Sequence, residues 1–194
     1  ILPLSKDVKS IAVIGPNADT QYNQLGDYTA SQDDKFIITP LEGIQVAVSK
    51  NTKVTYVKGC AIRDVTMSNI PAAVEAAKAS DVVVFVVGGS SARDFKTKYI
   101  ATGAATVSNE KDQVLIDMDC GEGYDRSTLD LLGDQEKLMQ ALIETGKPLV
   151  VVYIQGRTLK MNLAAEKANA LLTAWYPGGE GGHAIADVLF GDYN

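Results

Sequence analysis

The residues of this chain best suited to chemistry lie in one short acidic motif, which runs from Cys120 to Arg126 with the sequence CGEGYDR. Within it, Glu122 stands between Gly121 and Gly123, whose backbone bends freely and whose missing side chains leave the carboxylate uncovered. A carboxylate placed in this way can project into a cleft, so Glu122 is the first candidate for a catalytic group. The alternative interpretation is a solvated loop carboxylate, which describes most glutamates in loops.

Charged residues around this glutamate allow two further interpretations. Asp125 and Arg126 can form a local ion pair that fixes the loop instead of contributing to catalysis. Asp117, Asp119 and Asp125 make the segment acidic, but their spacing does not match the D-x-D-x-D-G calcium loop and no bidentate glutamate follows. The ligands for zinc are also missing, because His183 is the single histidine and no Cys-x-x-Cys pair occurs. We therefore predict no metal site.

The elements that must position this motif are alternating strands and helices. Apolar runs typical of strands occur at Ser10–Ile14, Val54–Val57, Asp81–Val87, Pro148–Ile154 and Ala170–Trp175. Helical patterns occur at Thr39–Val48 and Pro71–Lys78, in the stretch that begins at Asp134, and at Glu180–Leu189. Apolar runs without polar alternation are typical of strands buried on both faces. The sequence therefore predicts an α/β fold, a three-layer α/β/α sandwich with a mostly parallel sheet.

Capping residues mark two of the helix starts. Thr39 and Glu42, with Pro40 at the first helical position, have the spacing of a capping box. Asp134 is predicted to cap the helix whose inner side carries Leu138. Both helices would then begin at defined points beside the sheet.

A long connection follows the third strand, from Gly88 to Gly133. It is far longer than the usual link between a strand and a helix. In α/β proteins, the loops at the carboxyl ends of strands are where ligands bind. Because this connection contains Glu122, we predict a long functional loop after the third strand.

The composition limits the classes of protein to which the chain can belong. Its 194 residues are 46% hydrophobic and 22% charged, as in one globular domain. The net charge of −6 leaves no basic surface for phosphates, so we expect neither nucleic acid nor a membrane as a partner. Cys60 and Cys120 could pair in an oxidising compartment, but two free thiols are favoured. The start at Ile1 indicates a piece of a longer protein or a processed product, without a signal peptide.

Three other kinds of site are disfavoured by the sequence. A Ser-His-Asp triad could use only His183, which lies in a glycine-rich helix start. The turn at Gly15 has one glycine where a dinucleotide-binding loop needs three, and no P-loop sequence occurs. The run Gly178–Gly182 could hold an anion at a helix N-terminus, although a flexible turn explains it better.

Several segments, in order along the whole chain, resemble the second domain of glycoside hydrolase family 3. The most distinctive is Gly121–Arg126, followed by Leu131–Gln135. Further similar segments are Ile11–Asp19, Leu25–Tyr28, Thr39–Ile44, Lys58–Cys60, Thr145–Pro148, Gly156–Arg157, Ala174–Gly178 and Leu189–Asn194. Within the family, the chain is most similar to the β-glucosidases and β-xylosidases.

The resemblance implies a retaining β-glycosidase that removes β-linked sugars from the non-reducing end. In this family a TIM-like barrel carries an aspartate nucleophile, and the second domain supplies the general acid/base from a loop, a role that falls on Glu122. A retaining mechanism needs two carboxyl groups about 5–5.5 Å apart, and the acid/base needs a raised pKa. Tyr124, Asp125 and Arg126 are then candidates for contacting the substrate or positioning the loop.

The resemblance also implies what accompanies the domain. Residues 1–194 would be a single, truncated C-terminal domain without the catalytic barrel, so we expect the isolated chain to be inactive. The expected partner is a β-linked glucoside or xyloside oligosaccharide, bound through the barrel of the parent enzyme, with no cofactor. The parent protein is expected in a periplasm or outside the cell.

Some alternatives stay open within this resemblance. Cys120 stands where serine is common, and the acid/base loop varies in the family, so Glu110 and Asp119 are competing carboxylates. Arg157 and Trp175 lie near strand ends and are assigned no catalytic role. A different class of function, a non-catalytic carbohydrate-binding or scaffolding α/β domain, would make the glutamate a sugar ligand or a surface residue.

Overall fold

A computed structural model of the protein describes residues 1–30, 32–91, 117–121 and 125–193. Glu110, Glu122 and Tyr124 therefore lie outside the described residues. The strands of the described part are β1 (Ser10–Ile14), β2 (Lys53–Val57), β3 (Val82–Gly88), β4 (Leu149–Ile154) and β5 (Ala170–Trp175). They form one sheet in the order β2-β1-β3-β4-β5, in which each pairing of neighbours is parallel.

Helices cover both faces of this sheet. They are α1 (Pro40–Ala47), α2 (Ile70–Lys78), α3 (Gln135–Glu144), α4 (Asn162–Lys167) and α5 (Gly181–Phe190). On one face, Ile44 of α1 and Leu189 of α5 share an apolar cluster with Val84. On the other face, Leu138 of α3 shares a second cluster with Phe85. The predicted three-layer α/β/α sandwich is thus confirmed. None of the helices in the described ranges is long and apolar enough to cross a membrane.

The central strands are buried on both faces, as their unbroken apolar sequences predict. Every residue of β3 and of β4 is buried. The outermost strands of the described sheet, β2 and β5, are mostly half-buried. Helices on both faces remove the need for polar side chains at alternate positions. The sheet therefore offers polar groups a place mainly where its strands end.

The start of α1 confirms the predicted capping box. The Thr39 hydroxyl accepts a hydrogen bond from the Glu42 N–H at 3.2 Å, and the Glu42 carboxylate accepts one from the Thr39 N–H at 2.7 Å. Asp134 also precedes its helix, but its carboxylate does not cap α3. It accepts hydrogen bonds from Ser68 Oγ at 2.6 Å and Lys137 Nζ at 2.7 Å instead. The Asp134 carboxylate thus binds Ser68, which is distant in sequence, instead of capping the backbone N–H groups at the start of α3.

Two glycines allow α1 and α5 to pack with their backbones in contact. A Cβ atom added at Gly43 would lie 2.0 Å from the carbonyl oxygen of Gly182, and one added at Gly182 would lie 2.1 Å from that of Thr39. The N–H of Gly182 also donates to the carbonyl of Ile38 at 2.9 Å. Approaches this close leave no room for a side chain, so both positions require glycine.

We expect Gly43→Ala to destabilise the fold by about 1–3 kcal/mol, the usual cost of forcing an extra methyl group into a packed core. Helix propensity alone predicts the opposite sign, a gain of about 0.5–1 kcal/mol. Chemical denaturation distinguishes the two. The control is Gln45→Ala, at an exposed position of the same helix, which should change the free energy of unfolding by less than about 0.5 kcal/mol. A Gly43→Ala variant as stable as the original chain would contradict the close contact.

Candidate functional site

The carboxyl ends of the strands lie at one edge of the sheet, because all of its described strands are parallel. The chain leaves β3 through Gly89–Ser91, and the described part of the following connection returns to this edge at Asp117–Gly121. Backbone hydrogen bonds make the contact, since the N–H groups of Asp119 and Cys120 donate to the Ser90 carbonyl at 2.9 and 3.4 Å. The described part of the acidic motif therefore lies at the edge where α/β proteins bind ligands.

The centre of this edge is the side chain of Asp119, which is 1% exposed. Its Oδ1 accepts hydrogen bonds from the Ser90 N–H at 2.6 Å and from the Cys120 thiol at 3.4 Å. Its Oδ2 accepts from the guanidinium of Arg126. Gly89 is needed beside it, since a Cβ there would lie 2.3 Å from Oδ1. The carboxylate is thus enclosed by the end of β3 and by Arg126.

Arg126 is the cation that neutralises this carboxylate, and its side chain is 4% exposed. Its Nη1 donates to Asp119 and its Nη2 to the carbonyl of Asp130. The sequence suggests a pair between Arg126 and its neighbour Asp125, but the structure gives Arg126 the partner Asp119 and leaves Asp125 exposed. Arg126 pairs with the buried carboxylate because a buried charge without a partner is costly, whereas water solvates the exposed Asp125.

This ion pair joins the two sides of the acidic motif. Asp119 immediately precedes the motif and Arg126 ends it, so the chain that includes Glu122 begins and ends at one fixed point. Ser90 attaches this point to the end of β3. The loop that carries the candidate catalytic residue is therefore anchored at both ends.

Cys120 also contacts the turn that follows β5. Its Sγ lies 3.7 Å from the Oη of Tyr176, and Tyr176 packs so closely on Gly156 that a Cβ there would lie 2.1 Å from the ring. Burial, followed by the charge of Asp119, raises the pKa of the Cys120 thiol to about 11. Burial likewise raises the pKa of Cys60 to about 12. Both cysteines are buried free thiols, as the sequence favours.

Asp27 is a further charged residue beside the motif, which the sequence alone does not single out. Its Oδ2 lies 3.1 Å from the place that a Cβ of Gly121 would occupy, and its N–H donates to Ser91 Oγ at 3.2 Å. Gly121 has a φ of 142°, a backbone conformation that favours glycine. The one signal that could have identified Asp27 is its place in the family-like segment Leu25–Tyr28.

Two other loops considered for ligand binding are filled by the protein's own groups. After β1, the buried Asn17 donates from Nδ2 to the Gly89 carbonyl at 3.1 Å and accepts at Oδ1 from Asn23 at 2.8 Å. At the start of α5, the N–H of Gly181 donates to the Gly178 carbonyl at 3.1 Å. These bonds favour the interpretation of both segments as structural turns.

Known sequences match this chain over its whole length. The profile described as the glycosyl hydrolase family 3 C-terminal domain matches residues 1–194. A β-xylosidase of Formosa agariphila is 39% identical over 201 residues, which cover 100% of this chain and 24% of the relative. A periplasmic β-glucosidase of Salmonella typhimurium is 37% identical over 213 residues, with the same two coverages. The chain thus spans about a quarter of the length of these curated relatives.

Solved structures show the same likeness. A GH3 exo-β-xylosidase (XlnD) in complex with a xylobiose aziridine activity-based probe superposes with a TM-score of 0.74 at 31% identity, over 98% of this chain and 21% of that one. A β-glucosidase from Listeria innocua in complex with isofagomine superposes with a TM-score of 0.72 at 27% identity, over 100% of this chain and 22% of that one. Both likenesses extend over nearly the whole of the present chain.

Replacing Arg126 by glutamine should leave the carboxylate of Asp119 buried without its cation. We expect Arg126→Gln to lower the free energy of unfolding by about 3–5 kcal/mol, as is typical when a buried ion pair is broken. Its control, Lys78→Gln, breaks a pair with Glu75 whose side chains are 57% and 74% exposed, and should cost at most about 1 kcal/mol. Denaturation curves measure both values. Small, equal losses would argue against an important buried pair.

Both thiols should be inert in the folded chain. At pH 8 the raised pKa values keep Cys60 and Cys120 protonated, and burial blocks access, so an aromatic disulfide reagent should label neither. After unfolding, both should react. Because burial raises the folded pKa values, the protonated thiols contribute to stability fully below the ordinary thiol pKa of about 8.5. This contribution is lost as the pH rises from there through the folded pKa values of about 11 for Cys120 and about 12 for Cys60. Rapid labelling before unfolding would contradict the burial of the thiols.

Proposed function

This chain belongs to the glycosyl hydrolase family 3 C-terminal domain family, and we propose that it supplies the general acid/base, Glu122, to a retaining β-glycosidase. The curated relatives devote 24% of their length to the matched region. In the proposed enzyme, a barrel domain outside residues 1–194 carries the nucleophilic aspartate. The complete active site then forms between the two domains.

The main support for this function is that the ends of the acidic loop are anchored where the strands of the sheet end. The buried pair of Asp119 and Arg126 holds the two ends of the loop that contains Glu122. A general acid must come within hydrogen-bond reach, about 2.6–3.2 Å, of the atom that it protonates. A loop with fixed ends can meet this demand repeatedly, which supports a catalytic role for its glutamate.

Two other carboxylates of the segment are occupied by partners inside the protein. Asp119 is paired with Arg126 and almost completely buried. Asp117 accepts hydrogen bonds from the N–H groups of Ile62 at 2.8 Å and Arg63 at 2.9 Å. Neither carboxylate is then free to protonate a sugar, which favours the glutamate of the motif over Asp119 as the acid.

The proposed reaction has two steps, and Glu122 changes its role between them. First, the nucleophilic carboxylate attacks the anomeric carbon while Glu122 donates its proton to the departing oxygen, and the glycosidic bond breaks. Second, the ionised Glu122 takes a proton from water as that water attacks the same carbon and breaks the ester bond to the enzyme. Residues 1–194 contain one of the two required carboxyl groups, so we expect them to be inactive alone.

The proposed substrate is a β-linked glucoside or xyloside, because the relatives are named β-glucosidase and β-xylosidase. Tyr124 and Asp125 are the residues we propose for contacts with the sugar, and Arg126 for positioning the loop. Two carboxyl groups and water suffice for the chemistry, so the proposed reaction uses no cofactor. The periplasmic relative supports a location in a periplasm or outside the cell.

In the full-length enzyme, Glu122→Ala should lower kcat/KM for a β-glycoside with a poor leaving group by about 10²–10⁴-fold, the contribution of general acid catalysis. A 2,4-dinitrophenyl β-glycoside should lose far less, since its leaving group departs without a proton. Azide should partly restore kcat on this activated substrate, because the anion attacks the glycosyl-enzyme without a base. Steady-state kinetics on glucosides and xylosides measure all three effects.

Glu166→Ala provides the matched control, because it makes the same substitution at an exposed position of α4. It should leave the kinetics on both kinds of substrate unchanged. Normal turnover by Glu122→Ala would place the acid elsewhere. The domain would then be better described as a non-catalytic carbohydrate-binding or scaffolding unit.

A further inference from the structure

The buried pair of Asp119 and Arg126 is poorly explained by stability alone. Taking two charges out of water costs free energy that their attraction only partly offsets, and apolar residues of similar size often stabilise a fold equally well. The chain nevertheless buries both side chains, at 1% and 4% exposure. Buried pairs of this kind can serve to select one conformation among several.

The pair fixes the distance between two points of the chain. Asp119 and Arg126 are seven positions apart in sequence and are joined directly through their side chains. The residues between them, with Glu122 at the third position after Asp119, therefore form a closed loop. Closing a loop removes many of the conformations that the same residues would adopt with free ends. Glu122, the residue proposed to transfer a proton, is one of the residues within this closed loop.

The pair is also attached to the chain just beyond the buried central strand β3. Ser90 contributes both of its backbone groups, since its N–H donates to Asp119 Oδ1 at 2.6 Å and its carbonyl accepts from the Asp119 N–H at 2.9 Å. Ser90 follows β3, a central strand that is buried along its whole length. On the other side of the loop, Arg126 donates to the carbonyl of Asp130. The Asp119 end of the loop is therefore held just beyond a buried strand, and the Arg126 end is held by Asp119 and by the backbone of Asp130.

We infer that Asp119 is a positioning residue for Glu122, acting through Arg126 and Ser90 to hold the loop in the conformation that proton transfer requires. This inference rests on the proposed acid/base role of Glu122. A displacement of about 1 Å in a reacting group can cost on the order of 10²-fold in rate. Asp119 touches no substrate in this scheme, so its effect is confined to the step that Glu122 catalyses.

Asp119→Asn tests this role in the full-length enzyme. Asparagine keeps an oxygen that can accept from Ser90 but removes the charge that binds Arg126. We expect kcat/KM for an alkyl β-glycoside to fall by about 10–100-fold, and for a 2,4-dinitrophenyl β-glycoside by at most about 3-fold, because only the first needs a positioned acid. A merely structural role would lower both values equally, through loss of folded enzyme.

Asp134→Asn is the matched control for general destabilisation. Asp134 is also a buried carboxylate, but its partners are Ser68 and Lys137 instead of the motif. It should lower the denaturation temperature without changing the ratio of the two kcat/KM values. Thermal denaturation of each variant establishes the folded fraction at the assay temperature. A control with the same selective loss as Asp119→Asn would overturn the inference.

The double variant Asp119→Asn/Glu122→Ala separates positioning from an independent role. If Asp119 acts only through Glu122, the double variant should be no slower on the alkyl glycoside than Glu122→Ala alone. Losses that multiply would show that Asp119 contributes by another route, and the inference would fail.

Failure of the inference and failure of the proposed function give different results. If Glu122→Ala itself shows no dependence on the leaving group, the proposed function fails. If the loss of activity in Glu122→Ala depends on the leaving group and the loss in Asp119→Asn does not, only the positioning role fails. Should Asp119→Asn not fold, Arg126→Lys gives the same test, since lysine keeps the charge but loses the two-pronged geometry. A loss selective for the alkyl glycoside supports positioning, and an equal loss on both substrates overturns it.

Discussion

Helices packed on both faces of a parallel sheet leave buried polar side chains few places other than those where the strands begin and end. Every residue of β3 and β4 is buried, so neither strand presents a polar group to water along its length. Just beyond these strands the buried residues are polar instead of apolar, as at Ser90 and Gln155. The place of the acidic motif follows from this constraint, since Asp119, which precedes the motif, is bonded to Ser90.

The same constraint explains why a buried ion pair joins the residues on the two sides of Glu122. An unpaired charge in the interior is costly, so Asp119 and Arg126 tolerate few arrangements other than the one in which they meet. The glycines around them serve this arrangement. Gly89 leaves space for the Asp119 carboxylate, and Gly121 takes a φ of 142° as the chain enters the loop. Fixed ends of this kind support the proposal that the loop presents a general acid, which needs a carboxyl group at a defined place.

Much of the fold could be predicted because its signals are local. Apolar runs predict all five described strands to within one residue at each end, and the spacing of Thr39 and Glu42 predicts a capping box that is present. The helix α4 was missed because its six residues are too few for an apolar period to emerge. Asp134 was expected to cap α3, but its carboxylate bonds to Ser68, 66 positions away, which no local pattern encodes.

The sequence by itself determined the sheet, its layers, the family and the motif around Glu122, because these depend on residue types and their spacing. Only the tertiary structure decided that Arg126 pairs with Asp119 instead of its neighbour Asp125, and that Asp27 lies beside Gly121. The physical reason is that burial sets the strength of charge interactions. Two carboxylates near an arginine are similar partners in water, but the one enclosed away from solvent is costly to leave unpaired, and enclosure is a property of the folded chain alone.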